Sequence, residues 1–199
     1  SKSLGNFMTV RDILQKGPWA GEAFRLLLLR THYRAALDFT MAGLEEAKAE
    51  LDDHYAMLSR APEAPGGAVA SQLADWALAP LLDDLNTPLA LARLRDLRTL
   101  ENAVTVGGSP AVAMERAGLS TPPAPGAAAA AFREAASVLG VATGDPSAWL
   151  RGGAEDAAEV GAAIAARLAA RKAKNWAEAD RIRDDLKARG ILLEDGPGG

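Results

Sequence analysis

Between residues 167 and 187 the chain carries side chains suited to gripping an unpaired stretch of nucleic acid. Arg167, Arg171 and Lys174 fall at i, i+4 and i+7, one stripe of a helix, and no acidic residue stands between Glu159 and Glu178. Trp176 and Asp180 lie one helical turn apart, and Arg183 and Lys187 continue that face. Ala179, Ile182 and Leu186 fall on the opposite, apolar side. Unpaired bases stack on aromatic rings and are hydrogen-bonded along their polar edges. A carboxylate accepts from guanine or cytosine amino groups, an arginine fork donates to guanine O6 and N7, and further cations such as Arg167, Lys174 and Arg183 suit phosphates. The same residue types also suit a tryptophan packed at a helix start with solvated Arg–Asp pairs beside it. Spacing alone leaves both readings open.

The elements that would position these groups are helical. Asn175-Trp176-Ala177-Glu178 has capping-box spacing, so a helix is predicted to begin at Trp176, and Gly190 is placed to end it. Ile191-Leu192-Leu193 then reads as a strand or buried extended piece. Near the other terminus, Thr9 with Asp12 three residues on predicts a capped helix, closed by Gly17-Pro18. A helix is expected from Ala20 to about Phe39. The next carries Met41, Leu44, Leu51, Tyr55 and Leu58 on one side; Glu45, Glu46, Lys48, Glu50, Asp52 and Asp53 on the other read as a solvated acidic face.

After a Pro- and Gly-rich loop at 61–67, a third helix is predicted to about Leu82, and a fourth with Thr87 as N-cap and Pro88 at its first position. Breaks at 107–110 and 121–126 bracket a short helix, and 127–139 is helical again. Past Gly144-Asp145-Pro146 and Arg151-Gly152-Gly153 the wording turns compact and charged, placing a domain boundary near residue 152.

Composition bounds the function classes. A 199-residue chain with a 49% hydrophobic share can fill one core or two small ones. Its formal charge of -4 argues against a protein that coats nucleic acid, so any RNA contact must come from a local patch. The absence of Cys excludes disulfides and a thiolate zinc site within these residues. The longest aliphatic run, Leu26 to Leu29, is too short to span a bilayer, and with no signal peptide in view the chain is expected in the cytoplasm, away from any membrane.

Four blocks together carry a family resemblance. They are Ser1-Lys2-Ser3-Leu4-Gly5-Asn6, Leu29-Arg30-Thr31-His32-Tyr33-Arg34, Asp84-Leu85-Asn86-Thr87-Pro88, and Arg171 to Asp184 followed by Gly190 to Asp195. The first is similar to the back half of the KMSKS loop of class I aminoacyl-tRNA synthetases. The last closely resembles the C-terminal end of bacterial cysteinyl-tRNA synthetases. The resemblance covers essentially the whole chain.

It implies a mainly α fold with a DALR-like helical anticodon-binding bundle. Residues 1–20 would end the KMSKS loop and contact the tRNA stem, 21–152 would form the bundle, and 153–199 a small C-terminal α/β-type domain reading the anticodon. It further implies a parent enzyme that uses ATP to attach cysteine to its tRNA. That enzyme's nucleotide-binding domain and zinc site would precede these residues, leaving no metal ligands here and the fragment alone inactive. Lys2 would stabilise charge developing on ATP, in the parent only. Arg171, Trp176, Asp180 and Asp195 map onto the residues that read the anticodon GCA. Cysteine tRNA and the N-terminal catalytic domain are the expected partners of a monomer. The alternative is a free-standing helical RNA- or protein-interaction module descended from such an enzyme. His32, Tyr33 and Arg34 are expected to be structural, and the Asp84–Pro88 block is read as helix-start chemistry alone.

Overall fold

The computed structural model describes residues 8–63, 67–151 and 154–188. Every described element is helical, and the chain divides into two compact units, residues 1–150 and 151–199. The strand expected at 191–193 lies outside the described residues, as do Lys2, Gly190 and Asp195. None of the described helices is long and apolar enough to cross a membrane.

The first unit contains α1 (Val10–Leu14), α2 (Ala20–Leu29), α3 (Met41–Arg60), α4 (Ala68–Leu78), α5 (Thr87–Thr105), α6 (Ala111–Ala117), α7 (Ala127–Leu139) and α8 (Pro146–Leu150), with a 3-10 turn over Ala79–Leu82. Thr9 caps α1 as its spacing predicts: the Asp12 N–H donates to Thr9 Oγ1 at 3.2 Å, and the Thr9 N–H to Asp12 Oδ2 at 2.8 Å. At α5 the cap stands one residue earlier than expected. Asn86 Oδ1 accepts from the Leu89 N–H at 3.1 Å, which moves Pro88 to the second helical position, where no N–H is yet needed.

The helix from Ala20 stops at Leu29 rather than near Phe39. Residues 31–40 instead form a loop, its His32 and Tyr33 side chains bonded to Asp84 rather than laid along a helix. A second correction concerns the acidic face of α3. Glu50 is buried, not solvated: Arg95 Nε donates to its Oε1 at 2.6 Å, and Arg30 to its Oε2. Asp52 accepts from Trp149 Nε1 at 2.8 Å and Asp53 from Arg98 Nη1 at 2.9 Å. These carboxylates therefore bind α3 to α5, α8 and the end of α2.

The core is built from small and aliphatic side chains. Leu26, Leu44, Leu51, Leu73, Leu91, Leu94, Leu97, Leu100 and Phe132 are fully buried, with the alanines of α7 letting α4 and α5 approach it closely. Tyr55 joins three segments: its hydroxyl donates to Glu22 Oε2 at 2.9 Å and accepts from the Gly144 N–H at 3.0 Å, and its ring stacks on Trp149 at 4.4 Å. Burial first, with the Glu22 carboxylate adding to it, pushes the Tyr55 hydroxyl pKa upward.

The second unit is a helical hairpin of α9 (Ala154–Lys172) and α10 (Trp176–Ala188). Ala179, Ile182 and Leu186 of α10 are buried, the side that the sequence marks as apolar.

Candidate nucleic-acid interface

The turn between α9 and α10 carries the candidate residues. The Lys174 N–H donates to Arg171 O at 3.0 Å and the Asn175 N–H to Ala170 O at 2.9 Å, the paired bonds of a Schellman ending. Such an ending needs a left-handed residue before its last donor, a place usually held by glycine. Lys174 fills it with φ +57. Asn175 then opens the next helix, its Oδ1 accepting the Glu178 N–H at 3.3 Å.

Only that half of the expected capping box forms. The Asn175 N–H is already committed to α9, so Glu178 turns to Arg181, accepting from Nε at 2.9 Å and Nη2 at 2.6 Å. The Arg181 contacts hold the Glu178 carboxyl below its ordinary range, and the same contacts raise the arginine.

These bonds place Trp176 at the first position of α10 with its side chain 59% exposed. Ala179, Ile182 and Leu186, the side chains that α10 packs into the hairpin, are nearly covered by comparison, so Trp176 is not a core residue of that helix. Asp180 stands one turn further on, and Arg183 Nη1 lies 3.1 Å from its Oδ1, with Arg183 also reaching Asp184 at 3.4 Å. Both partners are largely exposed, so this ion pair orients the Asp180 carboxylate more than it stabilises the helix.

Arg167 and Arg171 are half-buried on α9, on the stripe they share with Val160, Ala163 and Ala170; Lys174 is exposed at the turn. The turn thus gathers Arg171, Lys174 and Trp176 within six residues of chain, and the structure pairs Asp180 with Arg183 directly. Chemically, the arrangement offers a flat ring, a carboxylate with one oxygen already held, and neighbouring cations: a surface able to stack a base and accept from its edge. The left-handed turn at Lys174 had no sequence signal, because lysine there looks like any surface cation.

No three His, Asp or Glu side chains among the described residues gather into a metal site.

Comparison with known proteins finds matches at both ends of the chain. Residues 155–199 match the family described as cysteinyl-tRNA ligase anticodon binding domain, and residues 1–49 that described as tRNA synthetases class I (C) catalytic domain. Cysteine–tRNA ligase of Paramagnetospirillum magneticum is 45% identical over 203 aligned residues, covering 100% of this chain and 40% of the relative. Over its whole length, the chain is related to the C-terminal part of cysteine–tRNA ligases. Those of Acidiphilium cryptum and Pseudomonas paraeruginosa are each 45% identical, again over 100% of this chain and 39% and 40% of theirs. The chain therefore spans about two fifths of the length of the cysteine–tRNA ligases that it matches. Finding both family matches in one chain favours this relation over a free-standing helical module.

Proposed function

We propose that this chain is the tRNA-binding part of a cysteine–tRNA ligase and that the α9–α10 hairpin reads the anticodon. The observation that carries the reading is Trp176. Its ring is largely exposed on a doubly fastened turn, inside the segment that matches the anticodon binding family.

On this reading a base of the anticodon stacks on Trp176, and Arg171 donates to the Hoogsteen edge of guanine. Asp180 and Asp195 accept from base amino groups. Asp180 does so through the oxygen that Arg183 leaves free. Arg167, Lys174 and Arg183 face phosphates, countering the acidic charge of the chain as a whole. The division of labour would be a stem-contacting start (1–20), a supporting bundle (21–152) and a reading domain (153–199).

The whole ligase would activate cysteine with ATP and transfer it to tRNA in the cytoplasm, as a monomer. Lys2 would contribute its ammonium to that step. The chain has no Cys and only two His, so its own residues do not fit a thiolate zinc site; we place zinc, and the ATP chemistry, in the part of such a ligase that this chain does not span.

The test is Trp176→Ala in binding to cysteine tRNA. Loss of a stacked base costs about 1–3 kcal/mol, or roughly 5- to 150-fold in Kd, and Trp176→Phe should restore part of it. An unchanged Kd in a folded Trp176→Ala variant would remove the ring from the site.

A further inference from the structure

The loop 31–40 and the turn after α4 hold side chains that neither the bundle core nor the proposed RNA site uses. Tyr33 Oη donates to Asp84 Oδ1 at 2.6 Å, and Arg34 Nη2 lies 3.1 Å from that same oxygen. Arg34 Nε donates to Tyr33 Oη at 2.8 Å, and His32 Nε2 stands 2.9 Å from Asp84 O. This knot ties the loop to a turn 51 residues away in sequence.

The turn it holds is strained. Asp84 and Leu85 both have φ +52, a conformation rare for any non-glycine and a true outlier for a bulky residue such as leucine. Strain of this kind persists only where the surroundings impose it, and it collects where a surface is used. Its effect here is to present apolar side chains outward. Leu82 is 92% exposed, Leu85 58% and Tyr33 59%, and Leu89, in the first turn of α5, is exposed as well.

Charge decides what class of partner fits. Arg34 is spent on Asp84 and Tyr33, while Asp38, Asp83 and Asp84 leave loop and turn acidic on balance. A polyanion is repelled by such a surface, whereas leucines and a tyrosine ringed by polar groups suit a protein face. The sequence relation decides which protein. The class I catalytic domain match covers α1, α2, the loop and the first half of α3, and α2 packs on α3 and α5 of the bundle. The loop thus belongs to the end of a domain whose remainder lies in the three fifths of the ligases that this chain does not span.

We propose that Tyr33, Leu82, Leu85 and Leu89 form the docking surface for the remainder of a class I catalytic domain, on the same polypeptide or a separate one. The assignment rests on the relation to cysteine–tRNA ligases and is independent of which residues read the anticodon, so the Trp176 experiment can fail without affecting it.

Hydrogen exchange read by mass spectrometry tests it, comparing this chain alone with the intact Paramagnetospirillum magneticum ligase over aligned segments. Amides of 31–40 and 80–89 should exchange at least tenfold more slowly in the intact ligase. Residues 134–140, around the exposed Val138 of α7, should exchange alike in both. Equal exchange at 80–89 overturns the proposal. Slowing in this chain alone on adding cysteine tRNA, or on raising its own concentration, overturns it too, in favour of RNA or a second copy. Leu82→Asp and Leu85→Asp should leave the urea midpoint of the chain unchanged; a lowered midpoint would show that these leucines serve its own fold.

Discussion

Glu101 offers a sharp test of how the bundle is held. Helix α7 begins at Gly126, whose φ of +86 suits glycine and which has no side chain to cap the helix it starts. The cap comes from α5. Glu101, fully buried, accepts from the Gly126 N–H at 2.8 Å and the Ala129 N–H at 3.1 Å, so one carboxylate satisfies two N–H groups at the positive end of α7.

Removing it by Glu101→Ala strands both donors in the interior. A hydrogen bond to a charged group contributes about 1.5–3 kcal/mol. Two such bonds that share one carboxylate are not independent, so we expect a loss of about 3–5 kcal/mol, below the upper sum of two separate bonds. Glu101→Gln keeps one acceptor and turns an NH2 toward the second donor, so it should lose about half as much.

Urea unfolding followed by tryptophan fluorescence gives the values. In a Trp176→Phe background the remaining tryptophans, Trp19, Trp76 and Trp149, all report on the first unit. The midpoint should fall in the order wild type, Gln, Ala, with the slope unchanged. A Glu101→Ala variant within about 0.5 kcal/mol of wild type, the range of ordinary surface substitutions, would refute the reasoning.

Acid should destabilise the first unit before its exposed carboxylates titrate. His54 is fully buried, its Nε2 facing Glu50 Oε1 at 3.5 Å; burial lowers its pKa more than that contact raises it, so the folded state keeps it neutral. As pH falls below 6.5, the ordinary histidine value, the unfolded chain takes up a proton that the native chain refuses, and stability drops; His54→Leu should flatten that slope down to about pH 5. Burial works to raise the Glu50 pKa, but His54, Arg95 and Arg30 outweigh it and hold it well below the carboxylate range, so its contribution is lost only as pH falls further, below 4.5. At the hairpin, Asn175→Ala should cost about 1 kcal/mol of stability and weaken tRNA binding by freeing the Trp176 turn. Asn175→Asp should restore both, as thermal melts and binding titrations would register.

What the sequence made legible was local. The Thr9–Asp12 cap, the breaks at Gly17-Pro18 and around α6, and the bounds of α7 follow from residues within a few positions of each other. What escaped was set by distant partners. Glu50 sits in a charge run indistinguishable from a solvated face, and its burial depends on Arg30 and Arg95, 20 and 45 residues away. Glu101 caps a helix 25 residues on, and the loop at 31–40 exists because Tyr33 finds Asp84. In the candidate site, the Asn175 cap and the apolar Ala179, Ile182 and Leu186 face were legible from spacing, and the exposure of Trp176 was not: a helix-start tryptophan reads equally well as packed. Lys174 was legible as a cation and not as a left-handed residue, because that conformation is imposed by the Schellman closure around it.

Anticodon reading is tested most directly by titrating this chain with cysteine tRNA and with the same tRNA carrying one changed anticodon base, at matched ionic strength. A stacked and hydrogen-bonded base that no longer fits its site costs about 1–3 kcal/mol, so the changed tRNA should bind roughly tenfold or more weakly. Equal affinities would mean that the hairpin holds RNA by charge alone, and would contradict the account.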